Sequence, residues 1–160
     1  MNLVASSLFS VTGKTALVTG ATGYLGQVIC RVLKENGATV IGTGTVLKST
    51  SLDDLDEWYF LDANSPYPDL EERLRVIESN NRIDILINNA HPMKYNAGFN
   101  VVLDQIENLS HAEWQQNING AIGLPTLTTA IIGAGMKERG HGSIINISSM
   151  YALVAPHPNL

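Results

Sequence analysis

At 160 residues, with 44% hydrophobic and 16% charged side chains, the chain can bury one real core, which excludes a disordered or low-complexity polypeptide. Its formal net charge of −5 argues against nucleic acid or an anionic membrane surface as the main partner, since both attract basic faces. Cys30 is the only cysteine and cannot form an internal disulfide, and MNLVASSLFSVTGK has no basic stretch ahead of its apolar residues, so a cytoplasmic protein is expected.

Residues 14–19 (KTALVT) form a short apolar run ending in glycine, the pattern of a buried strand. Residues 24–36 carry Leu25, Val28, Ile29, Val32 and Leu33 at helical spacing, and Gly37 closes that helix. A second strand is expected over 38–43 and a third over 58–61. A second helix over 70–78 turns Leu70, Leu74 and Ile77 inward. The fourth strand, 83–87 (IDILI), is followed by a long loop. Ser110-x-x-Glu113 is a capping box, which opens a helical stretch reaching Met136 and interrupted early by Pro125. Gly123, Pro125, Gly133 and Gly135 break the most apolar part of that stretch, so no membrane span is expected. Gly140 and Gly142 bracket the turn into a fifth strand, 143–148 (SIINIS). Strands alternating with helices imply an α/β fold, a doubly wound, Rossmann-type parallel sheet between two helical layers, in one domain covering 1–160.

The segment Thr19-Gly-Ala-Thr-Gly-Tyr-Leu-Gly26 lies between the first strand and the first helix. Glycines there allow a tight turn and close approach of backbone to a pyrophosphate, while the helix N-terminus offers free N–H groups. A plain tight turn is the weaker reading, because the pattern follows a strand and opens a βαβ unit. Gly13-Lys14-Thr15 imitates the tail of a nucleoside-triphosphate loop. The glycine that motif needs five residues earlier is Leu8, and the tripeptide precedes the strand, so this reading fails.

Taken with Asp62-Ala63, Asn88-Asn89-Ala90, Asn119 and Ile147-Ser148-Ser149 in this order, the glycine segment makes the chain resemble the short-chain dehydrogenases/reductases. Residues 13–45 are especially similar to β-ketoacyl-carrier-protein reductases. The resemblance implies an enzyme that moves a hydride between NADP or NAD and a carbonyl or alcohol. It implies that Gly20, Thr22, Gly23, Tyr24 and Leu25 line the pyrophosphate, and that Asp62 and Ala63 hold the adenine. Asn88, Asn89 and Ala90 would fix the fourth strand and meet the ribose. Asn119 and Ser149 would be catalytic, the first in a proton relay through a helix kink and the second on the substrate oxygen.

An acidic residue at the end of the second strand would favour NAD, whereas this chain has Gly44 and Thr45 there with Lys48 nearby, so NADP is the favoured cofactor. The glycine spacing TGxxGxxG is that of the sugar-nucleotide branch of the superfamily, and His91 stands where Asn-Asn-Ala is usually followed by glycine. The family's Tyr-x-x-x-Lys would begin about a dozen residues or more after Ser149. Tyr151 does not supply it, because Ala155 stands four residues on. An N-terminal fragment is therefore expected, with the C-terminal part of the fold missing after the fifth strand and a homo-oligomer when complete. The other readings are a non-catalytic dinucleotide-binding or regulatory protein and a sugar-nucleotide epimerase or reductase.

The remaining candidates have plain readings. His91, His111, His141 and His157 show no ligand spacing, so no metal site is expected. Cys30 reads as core packing. Asp53, Asp54, Asp56 and Glu57 read as a solvated loop, and Asn108 and Asn146 as chance matches to glycosylation acceptors.

Overall fold

The computed structural model describes residues 9–46, 53–91 and 110–149. The strands are β1 (Thr15–Thr19), β2 (Thr39–Gly44), β3 (Glu57–Phe60), β4 (Ile85–Asn88) and β5 (Ser143–Asn146). The helices are α1 (Tyr24–Glu35), α2 (Tyr67–Asn81), α3 (His111–Ile118) and α4 (Leu124–Arg139), with a π-helical turn, Asn119–Gly123, between the last two. All pairings are parallel, in the order β3-β2-β1-β4-β5. This is the doubly wound sheet that alternating elements predict.

Alternate residues of the central strands feed two separate cores. Leu17, Ile41 and Leu86 pack with Leu70, Leu74 and Ile77 of α2 and with Leu127, Ile131 and Ile132 of α4. Val18, Val40 and Ile87 pack on the other face with Ala21 and Cys30. Burial, with the Asp54 charge second, pushes the Cys30 thiol up to about 12, so it behaves as a small hydrophobe. The apolar pattern of the strands means two-sided burial only in the middle of the sheet. At the edge, β5 is exposed along its length, with Ile144 36% and Ile145 45% accessible.

Several boundaries differ from expectation for local reasons. Helix α2 starts at Tyr67, not at residue 70, because Pro66 sets the N-cap and Pro68 fits the first turn, where its missing N–H costs nothing. It ends at Arg82, which adopts the left-handed conformation at φ 50°. Pro125 does not interrupt its helix. The π turn ends just before it, and Pro125 occupies the first turn of α4. The capping box is present, with Ser110 Oγ accepting from the Glu113 N–H at 3.2 Å and the Glu113 carboxylate from the Ser110 N–H at 3.0 Å.

The helical run over residues 111–139 is long and apolar enough by composition to cross a membrane, with a mean hydropathy of 1.2 in its 18-residue window. Its glycines do not break it. In this fold Leu124, Leu127, Ile132 and Met136 of that run are buried in the α2–α4 core.

The acidic loop is not merely solvated. Arg31 meets Asp54 at 3.4 Å and Lys34 contacts Asp56, which ties α1 to the approach of β3. Asp56 also accepts from the Val40 N–H at 2.8 Å and returns its own N–H to the Val40 carbonyl.

Asn88, 3% exposed, binds three elements at once. Its Oδ1 accepts from Thr128 at 2.7 Å, while Nδ2 donates to Asn146 Oδ1 at 2.8 Å and to Thr129 Oγ1 at 3.3 Å. Truncating it strands polar partners in a dry place, which costs roughly 1–3 kcal/mol. Asn88→Ala is expected to lower the urea midpoint by a stability loss of about 2 kcal/mol with an unchanged m-value. A loss under about 0.5 kcal/mol would show that this network is not what joins β4, β5 and α4.

Candidate cofactor-binding site

Because every strand is parallel, Thr19, Gly44, Phe60, Asn88 and Asn146 end on the same edge of the sheet. From β1 the chain winds outward to β2 and β3, and from β4 to β5 in the opposite direction, so a crevice opens between β1 and β4. Most of the residues singled out from sequence emerge there. Gly20, Thr22, Gly23, Tyr24 and Leu25 follow β1, and Thr45 follows β2. Asp62 and Ala63 follow β3, Asn89 and Ala90 follow β4, and Ser149 lies three residues beyond β5. Asn119 opens the π turn, where its Oδ1 accepts from Gln115 Nε2 at 2.9 Å. Lys48 lies outside the described residues.

The two sides of the crevice are sewn together by Thr19, the first residue of the glycine segment, to which the sequence assigned no role of its own. Its buried Oγ1 accepts from the N–H groups of Asn89 and Ala90, both at 3.0 Å. Asn89 Nδ2 returns the contact to the carbonyls of Thr19 and Gly20, at 3.1 and 3.2 Å. Only glycine fits at 20. Its φ is +65°, and a Cβ there would lie 2.8 Å from Ala90 Cα. A Cβ on Gly26 would lie 2.1 Å from the Gly20 carbonyl oxygen, so α1 can sit this close to the turn only without a side chain there.

The geometry suits an anion. Gly23 caps α1 without a side-chain hydrogen bond, and no acidic residue occupies the first turn, so the chain leaves the positive end of the helix and its leading amides uncapped. Gln27 Nε2 occupies the Thr22 carbonyl at 2.8 Å, which removes an acceptor from the cradle. The Tyr24 ring is exposed to solvent and its N–H lies in the first turn of α1. A pyrophosphate fits these groups.

Farther along the edge, Ala63 and Ala90 are partly buried against the same core. Asp62 Oδ1 accepts from the Asn64 N–H at 2.9 Å, which shapes the turn after β3. Thr22 Oγ1 stands 3.5 Å from where a Cβ on Gly44 would be, so a hydroxyl and not a carboxylate borders the end of β2. Asn88, expected with its neighbours to fix the fourth strand and meet the ribose, does the first: its side chain points into the fold and fastens β4 to β5 and α4. Its mates Asn89 and Ala90 are the ones at the crevice.

The three described histidines stand apart from one another, and His157 lies outside the described residues. His91 is exposed after Ala90, His111 stacks with Trp114 at 6.0 Å, and His141 meets Asp84. Among the described residues no three His, Cys, Asp or Glu side chains are placed to hold one metal ion.

A parallel sheet wound both ways, with a glycine-lined helix N-terminus at the reversal point, defines the dinucleotide-binding class of α/β domain. The short-chain dehydrogenase family model matches residues 14–159, and the chain belongs to that family. It is 33% identical over 149 residues to the 2-dehydro-3-deoxy-D-gluconate 5-dehydrogenase of Bacillus subtilis, covering 89% of this chain and 55% of the relative. It is 32% identical to the 3-oxoacyl-[acyl-carrier-protein] reductase of Vibrio harveyi, covering 88% and 57%. The crystal structure of serine dehydrogenase from Escherichia coli matches with a TM-score of 0.70 and 31% identity, over 89% of this chain and 65% of that one. A putative NAD(P)-dependent gluconate 5-dehydrogenase from Beutenbergia cavernae, crystallised with bound NADP, shares the fold with a TM-score of 0.76 at 22% identity, over 93% and 59%. The chain thus spans about half the length of the curated relatives it matches.

Two glycines with left-handed φ separate strain from contact. Gly13, at φ +71°, has nothing within 4 Å of the point a Cβ would occupy, whereas Gly20 has the Ala90 backbone in the way. Gly13→Ala is expected to cost about 1 kcal/mol in denaturant unfolding, from backbone conformation alone. Gly20→Ala adds a backbone clash and should cost at least about 2 kcal/mol more. Equal losses in the two variants would show that the β1 and β4 loops do not touch as described.

Proposed function

We propose that this chain forms the cofactor-binding face of an NAD(P)-dependent oxidoreductase acting on a carbonyl or alcohol. The observation that carries the reading is the uncapped N-terminus of α1 at the reversal point, closed in by the Gly20–Ala90 contact. In this reading the first-turn amides of Tyr24 and Leu25, with Gly20, Thr22 and Gly23 beneath them, hold the pyrophosphate. The adenine rests between Asp62-Ala63 and Ala90, and Asn89 turns toward the ribose. The bound nicotinamide supplies the hydride chemistry, and the protein supplies orientation and charge stabilisation. Ser149 donates to the substrate oxygen, and Asn119, at the π turn, takes part in proton transfer.

NADP is the favoured cofactor because Gly44 and Thr45 place no carboxylate against a 2′-phosphate, and the Thr22 hydroxyl beside Gly44 can donate to one. The partner is a small molecule, the location cytoplasmic and the working assembly a homo-oligomer. Residues 1–160 contain no Tyr-x-x-x-Lys, so cofactor binding by this chain alone should far exceed turnover.

Fluorescence titration with NADPH and NADH tests the reading. Saturable binding of both is expected, with NADPH tighter by tenfold, a difference of about 1.4 kcal/mol. No binding of either would remove the function, and a tenfold preference for NADH would overturn the role given to Gly44 and Thr45. Turnover of simple carbonyls by residues 1–160 at ordinary enzyme rates would overturn the expectation that the reaction needs a Tyr-x-x-x-Lys motif.

A further inference from the structure

In the glycine turn after β1, backbone oxygens are the groups that would repel a bound anion, so where they point decides what the turn can hold. The Thr19 and Gly20 carbonyls accept from Asn89 Nδ2, at 3.1 and 3.2 Å, and the Gly20 carbonyl takes the Gly23 N–H as well, at 3.0 Å. Gln27 answers two more. Its backbone N–H donates to the Gly23 carbonyl at 3.0 Å, the first bond of α1, and its side-chain Nε2 donates to the Thr22 carbonyl at 2.8 Å. The amides of Tyr24 and Leu25 precede that first bond and have no acceptor within the helix.

The side-chain bond inverts ordinary helix capping. A cap at this end supplies an acceptor for the leading N–H groups, as Ser110 does for Glu113 in α3. At α1 the N-cap, Gly23, supplies none, and the side chain that reaches back brings a donor to a carbonyl. Such a bond adds little stability by itself, because water would serve the same oxygen. What it fixes is the plane of the Thr22–Gly23 peptide, held at its oxygen by Gln27 and at its N–H by the Gly20 carbonyl. Because residue 23 is glycine, that peptide could otherwise turn over and aim its oxygen at the helix end.

We propose that Gln27 is a positioning residue of the pyrophosphate cradle: by holding the Thr22 carbonyl aside, it keeps the first-turn amides clear and sets the affinity for the diphosphate part of the cofactor. That role rests on the cofactor reading of the crevice, and Gln27 fills it through the backbone, without touching the ligand. No acidic residue occupies the first turn of α1. The basic residues of the helix, Arg31 and Lys34, lie a turn or more beyond Gln27 and are paired with Asp54 and Asp56. Attraction for the anion from α1 therefore depends on how the backbone is aimed, which is what the Gln27 side chain controls.

Gln27→Met keeps the length of the side chain and removes its donor, at a helix position that methionine suits. NADPH affinity by fluorescence titration, with inorganic pyrophosphate and adenosine binding followed by amide NMR shifts, tests the role. The variant should bind NADPH and pyrophosphate roughly five- to tenfold more weakly than the parent, the size of one lost hydrogen bond beside a charged ligand. Adenosine, which carries no phosphate, should bind both proteins alike, and the urea midpoint should hardly move. A merely structural role would instead lower all three affinities together with the midpoint. Gln27→Glu, which sets an oxygen against the Thr22 carbonyl, should lose more NADPH affinity than Gln27→Met. Equal NADPH and pyrophosphate affinities in parent and Gln27→Met, or a parallel loss of adenosine binding and stability, overturn the proposal and leave the cofactor reading in place. Pyrophosphate binding that depends on Gln27 in a parent that binds no NADPH upholds the proposal and overturns the cofactor reading. A parent that binds neither NADPH nor pyrophosphate overturns both.

Discussion

The contact between the ends of β1 and β4 constrains everything at the functional edge. Neighbouring parallel strands can be covered by helices on either face, but only where the winding reverses do two loops leave in opposite directions and expose a crevice. Thr19 holds that place open and rigid. Its single buried hydroxyl accepts two consecutive amides from the β4 loop, and Asn89 bonds back across the gap. The absence of a Cβ at Gly20 then lets Ala90 approach, and its absence at Gly26 lets α1 come down onto the turn. The direction of the helix dipole, and therefore the attraction for an anion, is a consequence of these close approaches.

The opposite edge of the sheet is built differently. There two aspartates do similar work. Asp56 accepts the Val40 N–H and meets Lys34, while Asp84 accepts the Thr15 N–H and lies near Lys14 and His141. Burial raises both carboxyls, yet the hydrogen bonds and neighbouring cations outweigh it and hold both low. Each carboxylate thus ties the entry of one strand to its neighbour and loses that grip only in acid, as protonation removes the charge. Two ion pairs among the described residues, Lys34–Asp56 and His141–Asp84, thus sit at strand entries, while glycine, threonine and backbone amides line the exits of β1 and β4. At that exit edge the uncapped N-terminus of α1 supplies the positive end that an anion requires.

Much of this was legible from residues alone. The α1 helix, the glycine run before it and the Ser110–Glu113 capping box are local signals that survive into the fold with boundaries shifted by a few positions, but of the apolar set of α1 only Ile29 and Leu33 pack on the core beside Cys30, while Leu25, Val28 and Val32 are exposed. Errors arose where local rules compete. Pro125 read as a break because an isolated proline removes an i→i−4 bond, but the π turn before it had already widened the helix. The acidic run 53–57 read as solvated because its cations, Arg31 and Lys34, lie more than twenty residues earlier.

Parallel order, strand periodicity and the glycine turn were thus decided by the sequence itself, because each depends on φ/ψ preference and apolar spacing within a dozen residues. Which side chains act at the site was decided by the tertiary structure. Asn88 and Asn89 are adjacent and chemically identical, yet successive residues of a strand point to opposite faces. One is consequently buried against Thr128 and Asn146, and the other bridges to Thr19 and Gly20 at the crevice. Neither the glycine segment that Thr19 opens nor anything in sequence around His141 shows what these side chains touch. Their roles come from partners some seventy and fifty-seven residues away, brought within 3.0 and 3.1 Å only when the parallel strands align.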